Sequence, residues 1–252
     1  NVGHAANGGS PIQLGEVLYY LVPDSKKRLK IATANLSSLI ADNDLNSLKS
    51  SSNWNSYTLK DKVDDKNDAT FVTKYSPSSA VVNGKMYCVW VDNHSSGQVY
   101  ALGMDQAGNW DDQPMKLHLY DSTGTTSHLV ANSDISIMAY SDGFIFYQFV
   151  YTDGAYQVAC TRFTLLDMDP NNGNWNGQLM HRLDPADWGK SVDSNYYRIS
   201  AEWFSQGSNG NFTIVSLYSK DDERAKFICF PVDDQLVANV QYSNDRINIG
   251  SF

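Results

Sequence analysis

The sequence predicts an all-β fold, specifically a β-propeller of four-stranded antiparallel blades. Three observations carry that expectation. One layout recurs four times along the chain, turn dipeptides open its hairpins, and an Asn-Trp pair returns in register. The repeated segments are LGEVLYYLVPDSKKRLKIATANL (14–36), NGKMYCVWVDNHSSGQVYALGMDQAGNW (83–110), DGFIFYQFVYTDGAYQVACTRFTLLDMD (142–169) and NGNFTIVSLYSKDDERAKFICFPVDD (209–234). Each opens near a turn glycine: Gly15, Gly84, Gly143 or Gly210. Each then runs through apolar and aromatic residues to an acidic turn, at Asp24, Asp92, Asp153 or Asp221, and into a second β-rich run. The repeat is about 65 residues long.

Within a unit, a short apolar run before the glycine predicts the first strand: SSAVV (78–82), DISIMAY (134–140) and YRISAEWF (197–204). Asn83-Gly84, Asp142-Gly143 and Asn209-Gly210 predict type I′ turns, which need positive φ at both central residues. The runs that follow are rich in β-branched and aromatic residues and have strand length. SYTLKD (56–61), MKLHLYD (115–121), LMHRLD (179–184) and LVANVQY (236–242) predict the fourth strands. Trp54, Trp110 and Trp175 follow an asparagine just before three of them. A tryptophan that recurs in register is expected to pack between blades. A stripe of Leu36, Leu39, Ile40, Leu45 and Leu48 predicts a short helix within 35–51, capped by Ser37 or Ser38.

The units so defined are 11–62, 76–121, 134–184 and 196–242, in one domain spanning 1–252. RINIGSF (246–252) is expected to close the first sheet beside PIQLGEV (11–17), giving four blades or five with shared ends. A β-sandwich is the structural alternative.

Composition excludes several functions. Among 252 residues, 19 Lys and Arg face 28 Asp and Glu, for a formal net charge of -9. A nucleic-acid partner needs the opposite balance on some face. No apolar run approaches the roughly 18–20 residues of a membrane span. The chain starts at Asn1 without an initiator Met, which is expected of a processed product. Cys88, Cys160 and Cys229 sit singly inside apolar runs, the pattern of buried free thiols rather than of zinc ligands or disulfides. His4, His94, His118, His128 and His181 show no ligand spacing, so no metal is expected from them. Asp167, Asp169 and Asn171 begin a calcium-like loop. Gly173 falls one position late, however, and Gln178 stands where an EF-hand carries Glu. No cofactor is therefore expected, with calcium the one candidate considered.

The second unit carries Pro77, Ala80, Val81, Asn83, Gly84, Lys85, Met86, Tyr87, Cys88 and Val89, then Val99, Tyr100, Gly108 and Trp110. Over 76–110 this pattern resembles a repeat of bacterial and fungal propeller proteins, among them the fucose-binding and sialidase-like propellers, several of which are lectins. The resemblance implies a sugar-binding propeller, secreted or extracellular rather than cytoplasmic. Glycans or glycoproteins are its implied partners, and a homo-oligomer is allowed.

Sugar recognition needs flat aromatic faces and a few fixed polar groups. Trp90, Trp188 and Trp203 lie outside the recurring Asn-Trp position, and Tyr197 stands beside Arg198. These five are the expected ligand-binding residues. The recurring aspartates are expected to bond their own turns, so no catalytic residue is assigned from sequence. A glycoside hydrolase with channel-facing carboxylates is the alternative function, and a non-catalytic interaction propeller of a larger secreted or toxin protein is a third.

Overall fold

The computed structural model describes residues 9–37, 48–63, 71–93, 96–120, 125–140, 142–152, 155–183, 196–205, 211–219 and 224–232. Strands are the dominant element. The chain divides into two compact units: the first holds residues 1–118, 128–130 and 168–175, and the second holds the remainder.

In the first unit, β1 (Ser10–Leu14), β2 (Val17–Pro23), β3 (Leu29–Asn35) and β4 (Asn55–Thr58) form an antiparallel meander in sequence order. A second meander follows from β5 (Ser78–Val82), β6 (Lys85–Val91), β7 (Val99–Met104) and β8 (Met115–Tyr120), with β9 (Thr126–His128) paired to β8. The second unit carries β10 (Ile135–Tyr140), β11 (Gly143–Thr152), β12 (Ala155–Asp169) and most of β13 (Asn174–Leu183). It continues with β14 (Tyr196–Ser205), β15 (Asn211–Ser219) and β16 (Arg224–Val232). The strand order follows the expected repeat. The fourth strand of the first unit is shorter than expected, because residues Leu59–Lys62 turn into a 3-10 helix. LVANVQY and RINIGSF lie outside the described residues.

The hairpin turns show why their residues are there. Asn83 and Gly84 adopt φ of 50° and 74°, the expected type I′ turn. Gly143 departs from the expectation. It is not among the positive-φ residues; it opens β11, paired with Tyr140 and Thr164. A Cβ there would run into the carbonyl oxygen of Phe163, so close strand approach is what requires this glycine. The predicted helix begins at Leu36 and Ser37. Its cap is Asn35, whose Oδ1 accepts the Ser37 N–H at 2.9 Å, rather than a serine. Residues 38–47 of that prediction lie outside the described residues.

The core of the first unit lies between its two meanders, where Leu21, Ile31, Phe71, Met86 and Trp90 are all essentially inaccessible. Of the recurring tryptophans, Trp175 and Trp110 meet residues of another repeat, whereas Trp54 bonds within its own. Trp175 is fully buried against the edge of Tyr87, with ring centroids 5.1 Å apart. Trp110 borders the core cluster and hydrogen-bonds the Tyr57 side chain. Trp54 is half-buried and donates Nε1–H to the Leu48 carbonyl at 2.8 Å. In the second unit Phe144, Phe146 and Phe163 form a ring cluster, and Gly177 leaves room for the Phe163 ring. Cys88 and Cys160 are free and buried, and burial pushes both thiols up, Cys160 to about 12.

Serines join the first strands of successive sheets. In the first unit Ser10 Oγ lies 2.8 Å from Ser79 Oγ and accepts the Ser79 N–H at 3.0 Å. In the second unit Ser136 Oγ accepts the Ala201 N–H at 3.0 Å. Each bond spans one repeat. A buried N–H deprived of its acceptor costs about 1–3 kcal/mol. Ser136→Ala is therefore expected to lower the urea-unfolding stability by about that amount, whereas Ser136→Thr, which keeps the hydroxyl, retains most of it.

Candidate functional site

The carboxylates sort first. Asp24 sits in the β2–β3 turn and is spent on it. Its Oδ1 accepts the Lys26 and Arg28 N–H groups at 2.8 and 2.9 Å, and its Oδ2 accepts Arg28 Nε–H at 2.8 Å. Burial pushes this carboxyl up, but the Arg28 guanidinium and the two backbone donors outweigh it and leave it below the ordinary carboxylate value. Asp105 closes its own turn through the backbone and side chain of Asn109, with Gly108 at φ 87°. Asp169, from the calcium-like loop, does the same with Asn171 and Asn172. Asp167 accepts the Thr164 hydroxyl at 2.6 Å. Asp153 and Asp221 lie outside the described residues.

Asp134 is placed differently. It immediately precedes the first strand β10 and is only 8% exposed. Ser133 braces the backbone around it. Its Oγ donates to the Asp134 carbonyl at 3.0 Å and accepts the Phe149 N–H at 3.3 Å. The Ser136–Ala201 bond sets β10 beside β14. Blades repeated radially around a channel run their first strands in the same sense. On that geometry Tyr197 and Arg198 enter β14 at the end where Asp134 enters β10. The β14–β15 register shifts between Tyr196 and Arg198, a bulge that takes Tyr197 out of the ladder. Further along the same strand Glu202 pairs with Ile214 and Trp203 with Thr213.

The five expected ligand residues thus separate. Tyr197, Arg198 and Trp203 share β14 in the second unit. Trp188 lies outside the described residues. Trp90 is fully buried in the core of the first unit, stacked with Phe71 at 5.9 Å and Tyr100 at 6.0 Å. Its ring offers no face to a sugar. Sequence reasoning assigned no catalytic carboxylate and passed over Asp134. Its signal is position: two residues before the stitched Ser136 stands Asp134, whereas Pro77 precedes Ser79 and Ile199 precedes Ala201 at the same offset.

The sequence matches no family model and no curated relative. Among solved structures the chain is similar to the endo-arabinase of Bacteroides thetaiotaomicron, at 10% identity and a TM-score of 0.55, over 97% of this chain and 82% of that one. It is also similar to the α-L-arabinofuranosidase of Clostridium thermocellum, at 8% identity and a TM-score of 0.52, over 95% and 73%. These are five-bladed β-propellers of glycoside hydrolase family 43, and the likeness establishes the propeller fold class. Both are hydrolases, whereas the pattern at 76–110 pointed to fucose-binding and sialidase-like lectins.

Two substitutions check these assignments. Trp90→Ala removes a core ring and is expected to cost about 3–5 kcal/mol of stability by chemical denaturation. Asp24→Asn is expected to cost on the order of 1 kcal/mol near neutrality. The folded carboxyl titrates below the unfolded one, so its contribution is present above the unfolded value and lost as pH falls through the folded value. The gap between wild type and Asp24→Asn in pH-dependent melts should therefore close on acidification.

Proposed function

We propose that this chain is a carbohydrate-active propeller that hydrolyses glycosidic bonds beside its first strands β10 and β14. The observation that carries the reading is Asp134, a buried acid braced at the start of a first strand. Its support is a fold shared with two arabinose-releasing or arabinan-cleaving hydrolases. Glycoside hydrolysis needs two carboxyl groups. One protonates the leaving oxygen, and the other activates water or attacks the anomeric carbon. Asp134 and Glu202 are the two acids carried by the described first strands of the second unit, or immediately before them. Arg198 and Tyr197 then serve substrate binding, the guanidinium through sugar hydroxyls and the ring through sugar C–H faces.

The binding reading keeps one observation of its own: Tyr197, Arg198 and Trp203 share a strand. Activity separates the two. The chain is assayed with linear arabinan, aryl α-L-arabinofuranoside and a panel of other aryl glycosides. Turnover on at least one is expected, and Asp134→Asn and Glu202→Gln should each lower kcat/KM by about 10²–10⁴ without shifting the melting temperature. Glycan retention on an affinity column with no turnover anywhere would transfer the case to the binding reading.

A further inference from the structure

We infer that His118 and His128 form a two-imidazole site for a divalent transition ion, Cu²⁺ or Zn²⁺, on the outer face of the β8–β9 hairpin. No ligand spacing in the sequence points to it, since ten positions separate the two histidines. Strand pairing brings them together. The Leu129 N–H donates to the Leu117 carbonyl at 2.9 Å. The next pair along an antiparallel ladder, His118 with His128, then falls at a non-hydrogen-bonded position, where opposing side chains stand closest. Leu117 and Leu129 are fully buried on the inner face. The Gln98 side-chain amide holds both strands from within, donating to the Leu117 carbonyl at 3.0 Å and the Leu129 carbonyl at 3.3 Å. Alternation turns both imidazoles outward on a braced backbone, with His128 exposed and His118 half-covered.

The geometry suits one ion. The two rings lie with centroids 4.8 Å apart and planes at 64°. Two imidazoles bound to one ion through nitrogens at about 2.0–2.1 Å place their centroids about 4.5–5 Å apart when they occupy adjacent corners. His118 Nε2 is buried and has no hydrogen-bond partner, a lone pair or N–H that the protein leaves unused. Neutral imidazole favours Cu²⁺, Ni²⁺ and Zn²⁺ over Mg²⁺ and Ca²⁺. Among the described residues no group of three His, Cys, Asp or Glu surrounds an ion site, so water completes the shell. Lys116 lies two residues before His118 on the same face, and its charge keeps the site weaker than a three-ligand centre.

The test titrates the purified chain with CuCl₂ in a non-coordinating buffer at neutral pH, followed by calorimetry and electron paramagnetic resonance. One tightest Cu²⁺ per chain is expected, with hyperfine structure from two nitrogens. His118→Gln and His128→Gln should each weaken that class by about tenfold or more, and the double variant should be no weaker than either single one, because chelation is lost with the first ligand. The other three histidines set a floor common to all variants. As a second readout, ZnCl₂ should raise the melting temperature of the wild type but of neither variant, each referred to its own metal-free melt. Copper binding within roughly twofold of wild type in either single variant, or a single-nitrogen spectrum in the wild type, overturns the site.

Discussion

The first strand of each sheet creates the problem the rest of the structure answers. β5 and β14 each pair with a single neighbour in their own sheet. Half of their backbone groups therefore point away from that ladder, and Ser79 and Ala201, whose N–H groups do so, are buried. Buried N–H groups without acceptors are rare because each costs about as much as a lost hydrogen bond. The answer is a serine hydroxyl from the first strand one repeat earlier: Ser10 for Ser79, and Ser136 for Ala201. A hydroxyl suits this position because it accepts and still has a proton to give. The bonds span 69 and 65 residues, and those separations are the repeat length expressed as geometry. A unit lengthened between its first strand and the next would have to absorb the excess in its outer turns. The insertion after Asn35 in the first unit falls in such a place, between the third strand and the fourth.

The outer turns also absorb charge. A net charge of -9 reads at first as a supply of carboxylates for catalysis. Asp24, Asp105 and Asp169 show where much of it goes. Each holds a turn closed by accepting backbone N–H groups, and Asp105 and Asp169 do so before an Asn-Trp pair that anchors the following strand. The acid and the tryptophan act as one device: the acid fixes the path of the chain, and the ring fixes its depth.

Much of the fold is legible because it repeats. Hairpin glycines, apolar runs and the Asn-Trp pair each recur, and one misread copy is corrected by the others. The misreadings fall where local chemistry has two causes. Gly143 sits in a hairpin dipeptide, but strand contact rather than positive φ selects it. Asn35 caps the helix start where serines follow it in sequence. Trp90 does not recur, which points to a ligand contact, yet β6 is buried at every position from Met86 to Val91, on both faces. A strand covered on both sides reads as a continuous apolar run, and MYCVWV is such a run. Continuity, not irregularity, was the signal to weigh at that tryptophan. In the candidate site Tyr197 and Arg198 enter as expectations of the sequence, whereas Asp134 acquires meaning only when the serine bonds fix which residues share a level.

That level also bears on the kind of function the repeats support. A propeller that binds through equivalent pockets carries the same residues at the same register in each unit, since each pocket is a copy. Two residues before the stitched position, this chain has Gly8, Pro77, Asp134 and Ile199. The bond that aligns the strands is conserved in kind between the two units, while the residues at its entering end differ in every repeat. Symmetry is thus retained where the backbone needs it and abandoned two residues earlier. A single catalytic centre requires that asymmetry, because it needs one proton donor and one partner carboxylate in distinct surroundings rather than four of each. The same asymmetry weakens any account in which avidity across matching sites does the work.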